Sequence, residues 1–136
     1  MGQQQILFVI LAVCVIAIAL SIGVISLNGT TMSDNRSLVE QDLALMTRNI
    51  QDYVTLPVEE GGGGVSFDVL CRLPNALHLT GCPSSNAHGD YFVKKSTHAS
   101  SLQLIGVGIQ AGYDQTRPLR MVMTIWADSS AMTVLN

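Results

Sequence analysis

The stretch Ile6 to Leu27, ILFVILAVCVIAIALSIGVISL, decides the architecture. Only Ser21, Gly23 and Ser26 interrupt the apolar run of its 22 residues. As a helix it measures about 33 Å at 1.5 Å per residue, enough to cross the hydrocarbon core of a bilayer. Apolar residues occur on every side of that helix, so it has no face to offer water and must end in lipid or inside other protein. It does not read as a secretory signal. No basic segment precedes it, it is longer than a typical signal core, and no A-x-A-like site follows. The segment is expected to insert in a membrane at some stage of the protein's life.

Outward from this block, residues 1–33 contain no Asp, Glu, Lys or Arg. The remainder of the 136-residue chain holds all of its charge, with a net of −3. That length accommodates one small domain beyond the apolar segment. With 12% charged and 48% hydrophobic residues, the chain lacks the basic stripe of a nucleic-acid binder and the high charge of a disordered one. Asn28-Gly29-Thr30-Thr31 is a point where a helix can kink or melt, since Gly costs roughly 1 kcal/mol in a helix interior. Ser37-Leu38-Val39-Glu40 then fits a capping box at which a helix would resume. Val39, Leu43, Met46, Ile50 and Tyr53 follow at alternating spacings of four and three, one apolar stripe for packing on a sheet. Pro57 and the run Gly61–Gly64 end it, the glycines reading as a flexible connector. One long helix, or two nearly collinear ones, is therefore expected.

Beyond the glycines the period shortens. Val65–Leu73, Tyr91–Lys95, Leu102–Ile109, Leu119–Ala127 and Met132–Leu135 are rich in β-branched and aromatic residues and separated by turn-type clusters. The clearest hairpin joins Leu102–Ile109 to Leu119–Ala127 through Gly112–Pro118. The fold class is α+β: a long N-terminal helix, apolar then amphipathic, laid on an antiparallel sheet of about four strands. The organisation is 1–33 apolar helix, 34–57 amphipathic continuation, and 58–136 sheet domain.

Cys71 and Cys82 enclose ten turn-rich residues, which favours a disulfide contributing about 3 kcal/mol in the chain-entropy picture. A bridge would place the domain in an oxidising, extracytoplasmic compartment, N-terminus in. Written with His78 and His88, the same cysteines form C-x6-H-x3-C-x5-H, a spacing unlike the usual zinc patterns; free thiols are the other alternative. His78, His88 and His98 read as surface histidines, and Cys14 as a small packing residue. Ser, His and Asp are all present, but no Gly-x-Ser-x-Gly elbow accompanies them and the glycine run lacks a phosphate-loop ending. The sequence thus predicts no enzyme, no cofactor and no metal. Asn28-Gly-Thr30 and Asn35-Arg-Ser37 match the glycosylation sequon, making Asn28 and Asn35 candidate acceptors.

An apolar helix, its amphipathic continuation and a small sheet domain, in this order, resemble the type IV pilins and the archaeal-type pilins. The resemblance spans the chain in architecture, and its sequence-specific part lies in residues 1–56. It implies a structural subunit of an extracellular filament at the cell surface. The helix waits in the membrane and then bundles with copies of itself, with pilus assembly machinery as a further partner. Ile6, Leu7, Val9, Ile10, Val13, Val15, Ile16, Ile18, Leu20, Gly23 and Val24 would form the filament core. Ala12, Ala17, Ala19 and Ser21 would allow close approach. The family's basic leader and near-terminal glutamate have no counterpart in Met1-Gly2-Gln3-Gln4-Gln5, so the resemblance implies assembly without processing or a sequence already mature. The alternative from another class is a single-pass, membrane-anchored extracytoplasmic module whose helix stays in lipid.

Overall fold

The computed structural model describes residues 2–72, 76–94, 100–112 and 114–136. Leu73, Lys95, His98 and Tyr113, each part of a sequence-based expectation above, lie outside the described residues. The chain divides into two units, Met1–Ser33 and Asp34–Asn136. The amphipathic part of the helix belongs with the sheet, in the second unit.

One helix, α1, runs uninterrupted over Gly2–Thr55. The expected weak point at Asn28–Thr31 remains helical, and the capping-box sequence caps nothing. Thr30 and Thr31 turn their hydroxyls back to the carbonyls of Ser26 and Leu27 (3.0 and 2.8 Å), and Ser37 Oγ receives Gln41 Nε2 from the next turn. Hydroxyls that bond within their own helix leave nothing there for water to satisfy.

In the second unit the stripe is buried. Val39, Leu43, Met46, Ile50 and Val54 are enclosed, and Tyr53 packs half-buried against the same cluster. They lie on four antiparallel strands in the order of the chain: β1 (Gly89–Lys94), β2 (Ser101–Ala111), β3 (Pro118–Trp126) and β4 (Ser130–Val134). The register pairs Leu102 with Ile125, Leu104 with Met123 and Gly106 with Met121, which brings these side chains to one face with Leu119. Burying each large apolar side chain stabilises by roughly 1.5–3 kcal/mol. Close approach of helix to sheet depends on β2 glycines. A Cβ at Gly106 would lie 3.1 Å from Val39 Cγ1 and 3.3 Å from Leu43 Cδ1, and one at Gly108 would meet the Asn35 amide oxygen.

Two expectations are corrected here. The glycine run does not hang loose: Gly63 N–H bonds to Tyr53 C=O (2.8 Å), Gly64 N–H to Leu56 C=O (3.0 Å) and Val65 N–H to Val54 C=O (2.7 Å). It folds back to satisfy carbonyls that the end of α1 leaves open. Gly61 and Gly64 take left-handed φ values of 84° and 59° for this reversal. The expected first strand, Val65–Leu73, is instead a turn followed by the short helix α2 (Asp68–Arg72). Val65 has φ of 67°, outside any strand, and Ser66 Oγ accepts the Asp68 N–H while Asp68 pairs with Arg72 (3.3 Å). Its apolar residues read as a strand because Phe67 and Leu70 enter the core from a helical turn. The β2–β3 turn is held by Asp114, whose carboxylate accepts the backbone N–H groups of Arg117 and Thr116 (3.0 Å each) and Asn136 Nδ2. These bonds pull its pKa down to about 2.

Candidate functional site

Among the described residues, the first unit carries the longest run of exposed large apolar side chains. Every large apolar side chain from Ile6 to Leu27 is 55–72% exposed, including Ile6, Leu7, Val9, Ile10, Val13, Val15, Ile16, Ile18, Leu20 and Val24. Gly23 faces open space. Ser21, the one polar residue inside the block with a resolved partner, donates to Ala17 C=O (2.8 Å). Such a surface far exceeds the apolar patches of soluble monomers and requires a dry partner. By length and composition the helix is able to cross a membrane.

The second unit contains a polar cluster at the junction of α1 with the loop leading into β1. Asp42 lies three residues from Val39 and four from Met46, on the margin of the buried stripe. Its Oδ2 accepts three bonds, from Tyr91 Oη (2.7 Å), His88 Nδ1 (2.7 Å) and Asn86 Nδ2 (2.8 Å). Asn86 Oδ1 in turn receives the backbone N–H groups of His88 (2.8 Å) and Gly89 (3.1 Å), which shapes the loop that presents all three donors. Two turns earlier, Asn35 is 6% exposed. Its Nδ2 donates to His88 C=O (3.0 Å), and its Oδ1 accepts Gln110 N–H (3.3 Å). Asn35 and Asp42 therefore fasten α1 to the start of β1 and the end of β2.

The electrostatics follow from this geometry. Burial alone would raise the Asp42 pKa; the bonds from Tyr91, Asn86 and His88 and the charge of His88 outweigh it and hold the carboxyl below its ordinary range. Tyr91 is 2% exposed, and burial beside an ionised Asp42 pushes its phenol far above the usual value. An acceptor at His88 Nδ1 fixes the tautomer with the proton on that nitrogen. The cluster is a structural clasp that bonds helix to loop. A groove of about 340 Å³ in this unit lies elsewhere, along Val107, Arg117, Arg120 and Leu135.

The cysteine expectation is corrected. Cys71 and Cys82 are thiols, as is Cys14. Cys82 is buried with its Sγ between Asn49 Nδ2 (3.6 Å) and Thr80 C=O (3.7 Å), while Cys71 packs half-buried on the core. The core itself holds both sulfurs, so closing the loop needs no covalent bond, and the orientation drawn from a disulfide loses that footing. Nor do Cys71, His78, Cys82 and His88 converge: among the described residues no three His, Cys, Asp or Glu side chains form a metal-holding group. His88 is a bonded member of the clasp rather than an incidental surface histidine. Asn35 is corrected as a glycan acceptor, since its amide nitrogen is buried and engaged. Asn28 stands exposed on α1.

Sequence reasoning missed the clasp. Its one signal was Asp42 itself, an acid at the margin of a stripe of apolar residues, where an unpaired charge is costly. Nothing near Asn86, His88 or Tyr91 announced them as its partners. No family of proteins, curated protein or solved structure matches this chain.

Proposed function

We propose that this chain is the structural subunit of a pilus-like extracellular filament, assembled by bundling of the apolar helix. One observation carries the reading: an apolar segment whose large side chains are exposed continues, within a single helix, into the stripe that holds the sheet unit. An anchor needs only a flexible tether at that point, whereas a subunit built into a helical array gains from a helix without a joint. Covering Ile6–Leu27 is worth on the order of 30 kcal/mol of apolar transfer, supplied equally by lipid before assembly and by neighbouring helices after it. Ser21, Thr30 and Thr31 keep their hydroxyl bonds inside the helix in either setting. Gly23 admits close helix approach. In the array each subunit uses two different patches repeatedly, since only heterologous contacts propagate. Asn35 and Asp42 then secure the outer unit to the helix that holds it in place.

The test is a charge in the core. Val15→Asp or Ile18→Asp buries an unpaired carboxylate in lipid or bundle alike and abolishes filaments, while the outer unit keeps the native fluorescence of Trp126. Normal filaments from either variant overturn the reading. No filaments from the wild-type chain, with the protein found only in washed membranes, favour the membrane-anchored module instead.

A further inference from the structure

The two edges of the sheet are finished differently. On the β1 side the preceding loop covers the strand: Tyr91 N–H bonds to Ser84 C=O (2.8 Å), Asn86 N–H to Gly89 C=O (3.0 Å), and Ser85 bridges Asp90. On the other side β4 pairs with β3 alone among the described residues, and all five of its residues are exposed. Exposed edges in natural sheets are ordinarily blunted by a charge, a proline, a bulge or a covering segment. Ser130-Ala131-Met132-Thr133-Val134 has no charge and no proline, and its register with β3 is regular.

The direction of the free backbone groups can be read from the ladder. Trp126 N–H bonds to Ser129 C=O (2.8 Å) and Leu135 N–H to Arg120 C=O (2.9 Å). By alternation, Ala131 and Thr133 also bond to β3, so the N–H and C=O groups of Ser130, Met132 and Val134 point to the open side. The side chains of these same three residues lie on the helix-facing side, opposite Ile125, Met123 and Met121. There Met132 and Val134 remain 36% and 38% exposed beside a buried core. The edge is thus short of both hydrogen-bond partners and apolar cover on the same residues.

We propose that β4 pairs antiparallel with β4 of a second copy about a two-fold axis at Met132, joining two four-stranded sheets into one of eight. In that register Met132 faces the partner's Met132, and Ser130 faces the partner's Val134. Each such pair exchanges both backbone bonds. Like charges never meet, because the strand has none. Met132 and Val134 of each copy close over those of the other and extend the layer beneath Met121 and Met123. A two-fold contact is complete at two copies and does not propagate. Within a filament it would tie one filament to the next rather than one subunit to its successor. The contact rests on the outer unit alone and does not depend on the filament reading.

The experiment uses the full chain in detergent micelles in large excess over protein, in a Cys14→Ser background that removes the exposed helix thiol. Met132→Cys places two sulfurs across the axis at a Cα separation of about 5.5 Å, within disulfide reach. Ser130→Cys places them about 14 Å apart along the strands, outside it. Under mild oxidation Met132→Cys gives at least tenfold more covalent dimer than Ser130→Cys. Equal yields, or none at Met132, overturn the proposal; a strand donated by another protein would also leave Met132→Cys uncrosslinked. Separately, Val134→Pro removes an outward N–H and spares the bonds to β3. It weakens self-association of the otherwise wild-type chain at least tenfold by sedimentation, with Trp126 fluorescence unchanged. Undiminished association of the folded Val134→Pro chain overturns the proposal as well.

Discussion

Asp42→Ala is the most informative single change in the outer unit. It removes the one oxygen that accepts Tyr91 Oη, His88 Nδ1 and Asn86 Nδ2. The three losses are unequal. His88 and Asn86 are partly exposed and recover water, so each forfeits only a fraction of its bond. The Tyr91 hydroxyl, on a residue 2% exposed, is left with no acceptor in the clasp, and a buried unsatisfied group costs about 1–3 kcal/mol. Together the substitution is expected to destabilise the unit by about 3 kcal/mol, a fall in Tm on the order of 15 °C for a unit near 100 residues. Trp126, the only tryptophan, sits on β3 and reports unfolding of this unit separately from the apolar helix. Urea unfolding of the full chain in micelles, followed by its fluorescence, gives the free energy. Tyr91→Phe alone is expected to cost about 1 kcal/mol, and the double variant less than the two single costs added, because both act on one bond. An Asp42→Ala cost below about 0.5 kcal/mol, or strict additivity with Tyr91→Phe, would refute the clasp.

Three further outcomes follow from the same structure. The folded pKa of Asp42 is depressed, so its contribution is complete above the ordinary carboxyl pKa and disappears as pH falls through the lower, folded value. Tyr91, raised, contributes below the ordinary phenol pKa and loses its share as pH climbs above it. Trp126-detected stability is expected to decline at both extremes, and Asp42→Ala to flatten the acid limb; an unchanged acid limb contradicts the assignment. Gly106→Val forces branched carbon against Val39 and Leu43, and is expected to cost about 2 kcal/mol against less than 1 for Gly106→Ala, measured by the same unfolding assay. All three cysteines are expected to react with a thiol reagent in denaturant, Cys82 far more slowly than Cys14 in the native state. Reaction of a single thiol per denatured chain would establish the bridge that the structure lacks.

The helical half of the fold was legible because its signals repeat. Residues Val39 to Ile50 hold the apolar spacing over several turns, and no local feature outweighs it. The break expected at Asn28–Thr31 failed to occur because hydroxyl back-bonding suits a helix as well as a turn, and a lone glycine costs less than the turns on either side supply. The last three expected strands and β1 could be placed because β-branched runs alternate between turn clusters. Val65–Leu73 misled because Phe67 and Leu70 are apolar for a helical turn's reason, and short apolar runs have no decisive period. The clasp and the thiols were illegible for a deeper cause. Asp42 meets Asn86, His88 and Tyr91 across more than forty residues of sequence, and only the register of β1 against the helix brings them together. Asn35 matched a sequon on the surface of the sequence while its amide is used inside the fold.

In the proposed function the apolar helix ends in a bundle of its own copies. Electron cryomicroscopy of material sheared from intact producing cells, with the subunit identified by mass spectrometry, tests it most directly. The expected result is thin filaments of this 136-residue chain with Ile6–Leu27 packed against the same segment of neighbouring subunits along the axis. Filaments that lack the chain, with all of it retained in washed membranes, would contradict the account.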